Sequence, residues 1–160
     1  MLNRDYKEML SLLQGRKVEF IVVGAYGLAA HGFPRSTGDI DIWVNPTEVN
    51  ALRVYAALAE FGAPLSGITP KDFTQPGVVF QIGVAPCRID ILTRISGNIA
   101  FEDAVVRKSE VTVGDLSFPV LSREDLIANK KATGRSKDLL DVEQLLQMDL
   151  EKAKDDPRTL

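Results

Sequence analysis

Three aspartates stand in contexts that could do chemistry. Asp39-Ile40-Asp41-Ile42-Trp43-Val44 and Arg88-Ile89-Asp90-Ile91-Leu92 both alternate, as expected of β-strands whose side chains point to opposite faces in turn. Ile40, Ile42 and Val44 then share one face, and Asp39, Asp41 and Trp43 the other. If the two strands are neighbours, Asp90 joins the pair. Two carboxylates ~4 Å apart at an effective dielectric of ~20 repel by roughly 4 kcal/mol. A third worsens the repulsion and drives one of them to take a proton. A divalent cation removes the penalty, and carboxylate oxygens are the ligands Mg²⁺ prefers. The spacing alone fits equally a solvated face of a half-exposed sheet, with Asp90 unrelated.

A second element lies just upstream. Gly24-Ala25-Tyr26-Gly27 follows Val18 to Val23, a segment rich in β-branched residues, where a buried strand would turn into a helix. Backbone N–H groups at such a turn attract anions, and glycine lets a phosphate come close to the chain. The segment lacks the Gly-Lys-Ser/Thr ending of a Walker A loop. Strand, glycine turn, short helix, polar loop and Asp-x-Asp strand follow in that order, which would place a phosphate cradle beside a metal site.

Arg35 and Thr37 precede the aspartates, either as contacts to phosphate or acceptor or as part of a solvated loop. Lys130 and Arg135 flank Gly134, and Asp138 is placed to orient Arg135. Lys137 and Asp141, four apart, read as an ordinary surface pair on a helix. His31, the single histidine, reads as a packed or hydrogen-bonded residue, Cys87 as a buried strand residue and Trp43 as strand packing.

These residues need a scaffold. Helices are expected over 4–14 with Asn3 as its cap, from Ala25 to about His31, over 48–61, near Phe101–Lys108, from the Ser122 cap to about Thr133, and from about Ser136 to Met148. Asp125 stands where its carboxylate can bond back to the Ser122 cap. Strands are expected at Val18–Val23, Asp39–Val44, Val78–Gly83, Cys87–Thr93, Glu110–Val113 and Leu116–Val120. Between Gly62 and Gly77 lies a segment long enough for a functional loop. Strands interspersed with helices point to an α/β or α+β domain with a sheet flanked by helices. With 160 residues, the chain reads as one domain, its core about 16–120 and its C-terminal helices about 122–149. The 45% hydrophobic and 26% charged residues exclude wholesale disorder. One cysteine excludes an internal disulfide and a two-cysteine metal site. No apolar run reaches the ~18–20 residues of a membrane helix, and no signal-peptide stretch follows the first residues, so a cytoplasmic protein is expected. A net charge of −3 argues mildly against a broad nucleic-acid surface, although three metal-holding aspartates would account for it.

Val23-Gly24-Ala25 and the run Pro34-Arg35-Ser36-Thr37-Gly38-Asp39-Ile40-Asp41-Ile42-Trp43-Val44 resemble the nucleotidyltransferase superfamily that includes DNA polymerase beta. The small bacterial members, of the abortive-infection and minimal nucleotidyltransferase type, are more similar still. Leu126 to Val142 is also similar to them, so the resemblance spans about 20–146. It implies the nucleotidyltransferase fold, a mixed sheet with a C-terminal helical segment. It further implies two Mg²⁺ ions (or Mn²⁺ in their place) on Asp39, Asp41 and Asp90, and attack of an acceptor hydroxyl on the α-phosphate of an NTP such as ATP, with release of pyrophosphate. Gly24 and Ala25 would cradle phosphates, and Arg35, Thr37, Lys130 and Arg135 would contact the nucleotide. The acceptor, whether tRNA, protein or small molecule, is left open, as is a cognate toxin or antitoxin partner. Ala25 stands where the family usually carries glycine or serine. That keeps a second reading open, a catalytically degenerate antitoxin or partner-binding module on the same fold. A metal-dependent phosphohydrolase is a third.

Overall fold

Asn3 caps the first helix by accepting a hydrogen bond from the Tyr6 N–H at 2.9 Å, satisfying one of the donors a helix start leaves open. In the computed structural model, which describes residues 2–32 and 38–155, this helix, α1, covers Arg4–Gly15 and buries Tyr6, Met9, Leu10 and Leu13. Burial of a side chain of that size contributes about 1.5–3 kcal/mol, so its apolar side docks the helix. The chain continues as β1 (Phe20–Val23), α2 (Gly24–Ala30), β2 (Ile40–Val44) and α3 (Glu48–Phe61). A 3-10 turn (Pro70–Thr74), β3 (Val79–Ile82), β4 (Ile89–Leu92) and α4 (Phe101–Arg107) come next. β5 (Ser109–Val113), β6 (Leu116–Val120), α5 (Arg123–Thr133) and α6 (Ser136–Asp155) complete it.

The strands form one mixed sheet in the order β3-β4-β2-β1-β6-β5. β2 pairs antiparallel with β1 and parallel with β4, and β1 pairs parallel with β6. The fold class is the expected α/β arrangement. Both faces of the central strands are covered, each by its own cluster. On one side Phe20, Val22, Ile40, Ile42, Val44, Ile89 and Ile91 pack with α1, α3 and Phe73. On the other, Ile21, Val23 and Trp43 pack with Phe101 and Ala104 of α4, Leu126 of α5 and Leu145 of α6. Trp43 is buried, edge-on to Phe101 at 5.1 Å, in the strand-packing role expected. The alternation of β2 therefore sends isoleucines to one cluster and its aspartate face to the side of the C-terminal helices.

Several local expectations change. Strand β1 starts at Phe20 rather than Val18, because Lys17 takes a left-handed φ of 57° and the Val18 N–H still bonds back to Leu13. The long segment after Gly62 is anchored: Asp72 accepts from the Thr69 N–H at 2.8 Å and Phe73 is buried in the core. Cys87 is exposed and precedes β4, its N–H closing a turn to Val84. Ser122 caps α5 through the Asp125 N–H, but the Asp125 carboxylate is engaged by Arg107 at 2.9 and 3.0 Å rather than by the cap. Helix α6 runs to Asp155, past Met148, because its last turns consist largely of good helix formers. His31 bonds through Nε2 to the Leu121 carbonyl at 2.8 Å. Among the described residues, no helix is long and apolar enough to cross a membrane.

Candidate active site

Parallel pairing of β2 with β4 sets Asp41 directly opposite Asp90, and Asp39 lies two residues earlier on the same face as Asp41. The three aspartates are therefore brought together, as the alternation of the two strands allowed. Burial pushes the Asp41 carboxyl up to about 6, reinforced by the charge of Asp90, a hydrogen bond with it and the charge of Asp39, with Arg88 pulling the other way. A site that raises a carboxyl in this manner is short of positive charge.

Arg88 supplies part of it. Its guanidinium bonds to Asp90 through Nε at 2.8 Å and Nη2 at 3.2 Å, and Nη2 also reaches Asp39 Oδ2 at 3.2 Å. Its backbone N–H donates to Asp39 Oδ1 at 3.2 Å. The signal was present in the sequence, since Arg88 and Asp90 are two apart on an alternating strand and so share a face.

Gly24 closes the other side of Asp41. Val23 pairs with Asp41 across β1 and β2, and the next residue turns with a φ of 68°. A Cβ at Gly24 would stand 2.3 Å from Asp41 Oδ2, so only glycine lets the turn lie against the carboxylate. Ala25 falls in the first turn of α2. Arg35 and Thr37 lie outside the described residues.

An open cleft of about 220 Å³ runs from Asp41 and Gly24 over Leu92, Arg94 and Ser96 to Asn129, Lys130, Thr133 and Arg135. Lys130 and Arg135 thus line the same cleft as Asp41, on different terms. Lys130 is buried, its Nζ 3.2 Å from Asp138 Oδ1 and 3.1 Å from Asp141 Oδ2. Asp141 is thereby a buried partner of Lys130 rather than half of a surface pair with Lys137. Arg135 bonds Asp138 Oδ2 through Nε at 2.6 Å while its side chain stays 74% exposed, as the orienting role of Asp138 required. Burial pushes the Asp138 carboxyl up, but bonds from Thr133, Arg135 and Lys130 outweigh it and hold the group at about 2. Arg94, exposed two residues past β4, was not singled out from the sequence, although it is in phase with Arg88 and Asp90. It forms no hydrogen bond or ion pair with the described residues.

Among the described residues, no three His, Cys, Asp or Glu side chains are grouped as a metal ion would hold them; Arg88 bridges two of the three aspartates. The donor set nevertheless suits a hard divalent cation: all-oxygen carboxylates, one of them raised by burial and by its like-charged neighbours. With glycine against Asp41 and the side chains of Arg94 and Arg135 lining the cleft, the arrangement can take an anionic ligand.

The comparisons agree in kind. A nucleotidyltransferase-assigned protein from Thermotoga maritima, TM1012, has a similar structure at a TM-score of 0.60 and 19% identity, covering 92% of this chain and 96% of that one. The lincosamide antibiotic adenylyltransferase LnuA, solved with lincomycin bound, is similar at a TM-score of 0.59 and 16% identity, covering 91% and 96%. At these identities the likeness concerns the fold. No curated protein matches the sequence. Residues 2–155 match a family described as nucleotidyl transferases of unknown function, DUF2204, and with nearly its whole length inside that pattern the chain belongs to this nucleotidyl transferase family.

Proposed function

We propose that the protein transfers a nucleoside monophosphate from an NTP to an acceptor hydroxyl, releasing pyrophosphate, in the cleft between the β2–β4 carboxylates and α5. The observation that carries the reading is the register of β2 and β4, which sets Asp41 opposite Asp90 with the Gly24 turn against the same carboxylate. Asp39, Asp41 and Asp90 would hold Mg²⁺. Bound there, divalent ions would neutralise the phosphate charge that builds up in phosphoryl transfer. The remaining work falls to the chain. The Gly24 turn offers backbone N–H groups to phosphate oxygens, and Arg94 and Arg135 present cations to the same cleft. Lys130 lines the same cleft with its charge matched by Asp138 and Asp141, which tie α5 to α6. A positioned set of donors and charges is most of what phosphoryl transfer asks of a protein.

The test is transfer of label from α-³²P NTPs to cellular RNA, protein and small-molecule fractions, with each nucleotide in turn. Labelling of one fraction that needs a divalent metal and is lost in Asp41→Asn is the expected result. Absence of any labelled fraction, together with absence of metal-dependent NTP binding in calorimetry, would refute the reading. That outcome would leave the fold as a binding module. A toxin–antitoxin role comes only from the resemblance of the motifs, and the identity of the labelled acceptor decides it.

A further inference from the structure

We infer that Tyr6, on α1 and outside the cleft, is a positioning residue that fixes the spacing of Asp39 and Asp90. Its side chain is fully buried. Its hydroxyl donates to the Gly38 carbonyl, with the Arg88 carbonyl 3.3 Å away. Gly38 directly precedes Asp39, and Arg88 lies two residues before Asp90, so the hydroxyl sits where β2 and β4 begin to run side by side. Other bonds gather at the same point. The Arg88 carbonyl accepts from the Ile40 N–H at 3.0 Å, and the Arg88 N–H donates to Asp39 Oδ1 at 3.2 Å.

The packing there leaves no slack. A Cβ at Gly38 would come within 2.7 Å of the Pro86 carbonyl oxygen, so the leading ends of the two strands already touch. The Tyr6 ring meets Tyr26 edge-on at 5.7 Å, and Tyr26 lies in α2, directly after the Gly24 turn. One side chain thereby touches all three segments that carry the site. Burial, with the nearby charges of Tyr26, Cys87 and Asp39, pushes the phenol up to about 12, so the hydroxyl remains a donor at ordinary pH. Without that donor the Gly38 carbonyl must find another, and the backbone before Asp39 shifts relative to Arg88. Groups that hold ligating carboxylates in place typically matter about 10–100-fold for metal affinity.

This inference rests on the metal-dependent reading above, and the experiment separates the two. Mn²⁺ binding by calorimetry and NTP kinetics are measured for the full chain, for Tyr6→Phe and for Val54→Ala. Val54 belongs to the same core cluster as Tyr6 and makes no contact with the strand ends through a polar group. Tyr6→Phe is expected to weaken Mn²⁺ binding about tenfold and to lower kcat, with KM for NTP within about twofold of the unaltered protein. Val54→Ala is expected to leave Mn²⁺ affinity unchanged, and 4-aminophenylalanine at position 6, which keeps the ring and a donor, to restore it. Equal Mn²⁺ affinity in Tyr6→Phe, or equal loss in Val54→Ala, overturns the inference while leaving the metal-dependent reading intact. Failure of Tyr6→Phe to fold while Val54→Ala folds also overturns it, since Tyr6 is then a core residue only. Absence of Mn²⁺ binding in the unaltered protein overturns both.

Discussion

Replacing Asp41 by asparagine is expected to stabilise the protein while abolishing nucleotidyl transfer. Asparagine keeps the shape and can still hydrogen-bond Asp90, but it carries no charge. The Asp41 carboxyl is raised from 3.8 to about 6, by burial first and then by Asp90 and Asp39. A carboxyl raised on folding leaves the folded state at full stability only at low pH, where the group is protonated. Below about 3.8 the group is protonated in both states and costs nothing, and the stability is lost as pH rises from there through about 6. At 1.36 kcal/mol per unit the full cost is about 3 kcal/mol at pH 8, and the same linkage gives about 1 kcal/mol at pH 4.5. Thermal denaturation without divalent metal reads this directly. For a chain of this size 1 kcal/mol moves Tm by roughly 2–4 °C, so Asp41→Asn should melt about 6–12 °C higher at pH 8 and only a few degrees higher at pH 4.5. Adding Mg²⁺ should narrow the pH 8 difference, because an ion that binds only the folded protein stabilises it. A variant no more stable than the unaltered protein at pH 8, or with equal gains at both pH values, would refute the electrostatic account of the site.

Gly24→Ala forces a left-handed φ on a residue with a Cβ and drives that atom into Asp41 Oδ2. A loss of about 1–3 kcal/mol in urea denaturation, with at least a tenfold rise in KM for NTP, is expected; an unchanged KM would show that no phosphate approaches the turn. Lys130→Met withdraws the cation from buried Asp138 and Asp141 and should cost about 3 kcal/mol. Asp138, held at about 2, contributes stability that is present above 3.8 and lost as pH falls toward 2, so the deficit of the variant should shrink in that acid range. A deficit constant with pH would place the loss in packing instead. Arg135→Gln removes one of the bonds to buried Asp138 from a side chain itself 74% exposed, so it should cost about 0.5–1.5 kcal/mol of stability and raise KM for NTP about tenfold. Equal KM would remove Arg135 from the phosphate-binding set.

The parts of the site legible in the sequence were those fixed by local periodicity. Ile40 and Ile42 against Asp39 and Asp41 could be sorted to faces because a strand alternates whatever its neighbours are. The pairing of Asp41 with Asp90 could be stated only conditionally. α3, the 3-10 turn and β3 all intervene between β2 and β4, and an alternating strand carries no record of its partner. Gly24 was legible as a turn, whereas the reason only glycine serves there, the carboxylate 2.3 Å from a Cβ, is a contact across strands. Cys87 shows the reverse error. Its place before an alternating run suggested strand, but the Val84 turn ends only at Cys87 and the ladder begins at Ile89.

Charge was the least legible property, because whether a cation is free to meet a ligand depends on what the fold sets beside it. Lys130 and Arg135 read alike in sequence, five residues apart, yet Lys130 is enclosed by two aspartates and Arg135 gives one nitrogen to Asp138 and keeps most of its surface in solvent. Arg88, read as a strand residue, is spent on Asp39 and Asp90, and Arg107 on Asp125. The net charge of −3 therefore says little about a nucleotide's approach: several of the charges it counts are already paired, and two of the three aspartates share a guanidinium. Attraction of a triphosphate must be local, from Arg94 and Arg135, which both line the cleft. It must also be short-ranged, since exposed charges are screened beyond about 8 Å at physiological ionic strength. On this account added salt should raise KM for NTP only modestly, because the groups that discriminate the ligand act at contact.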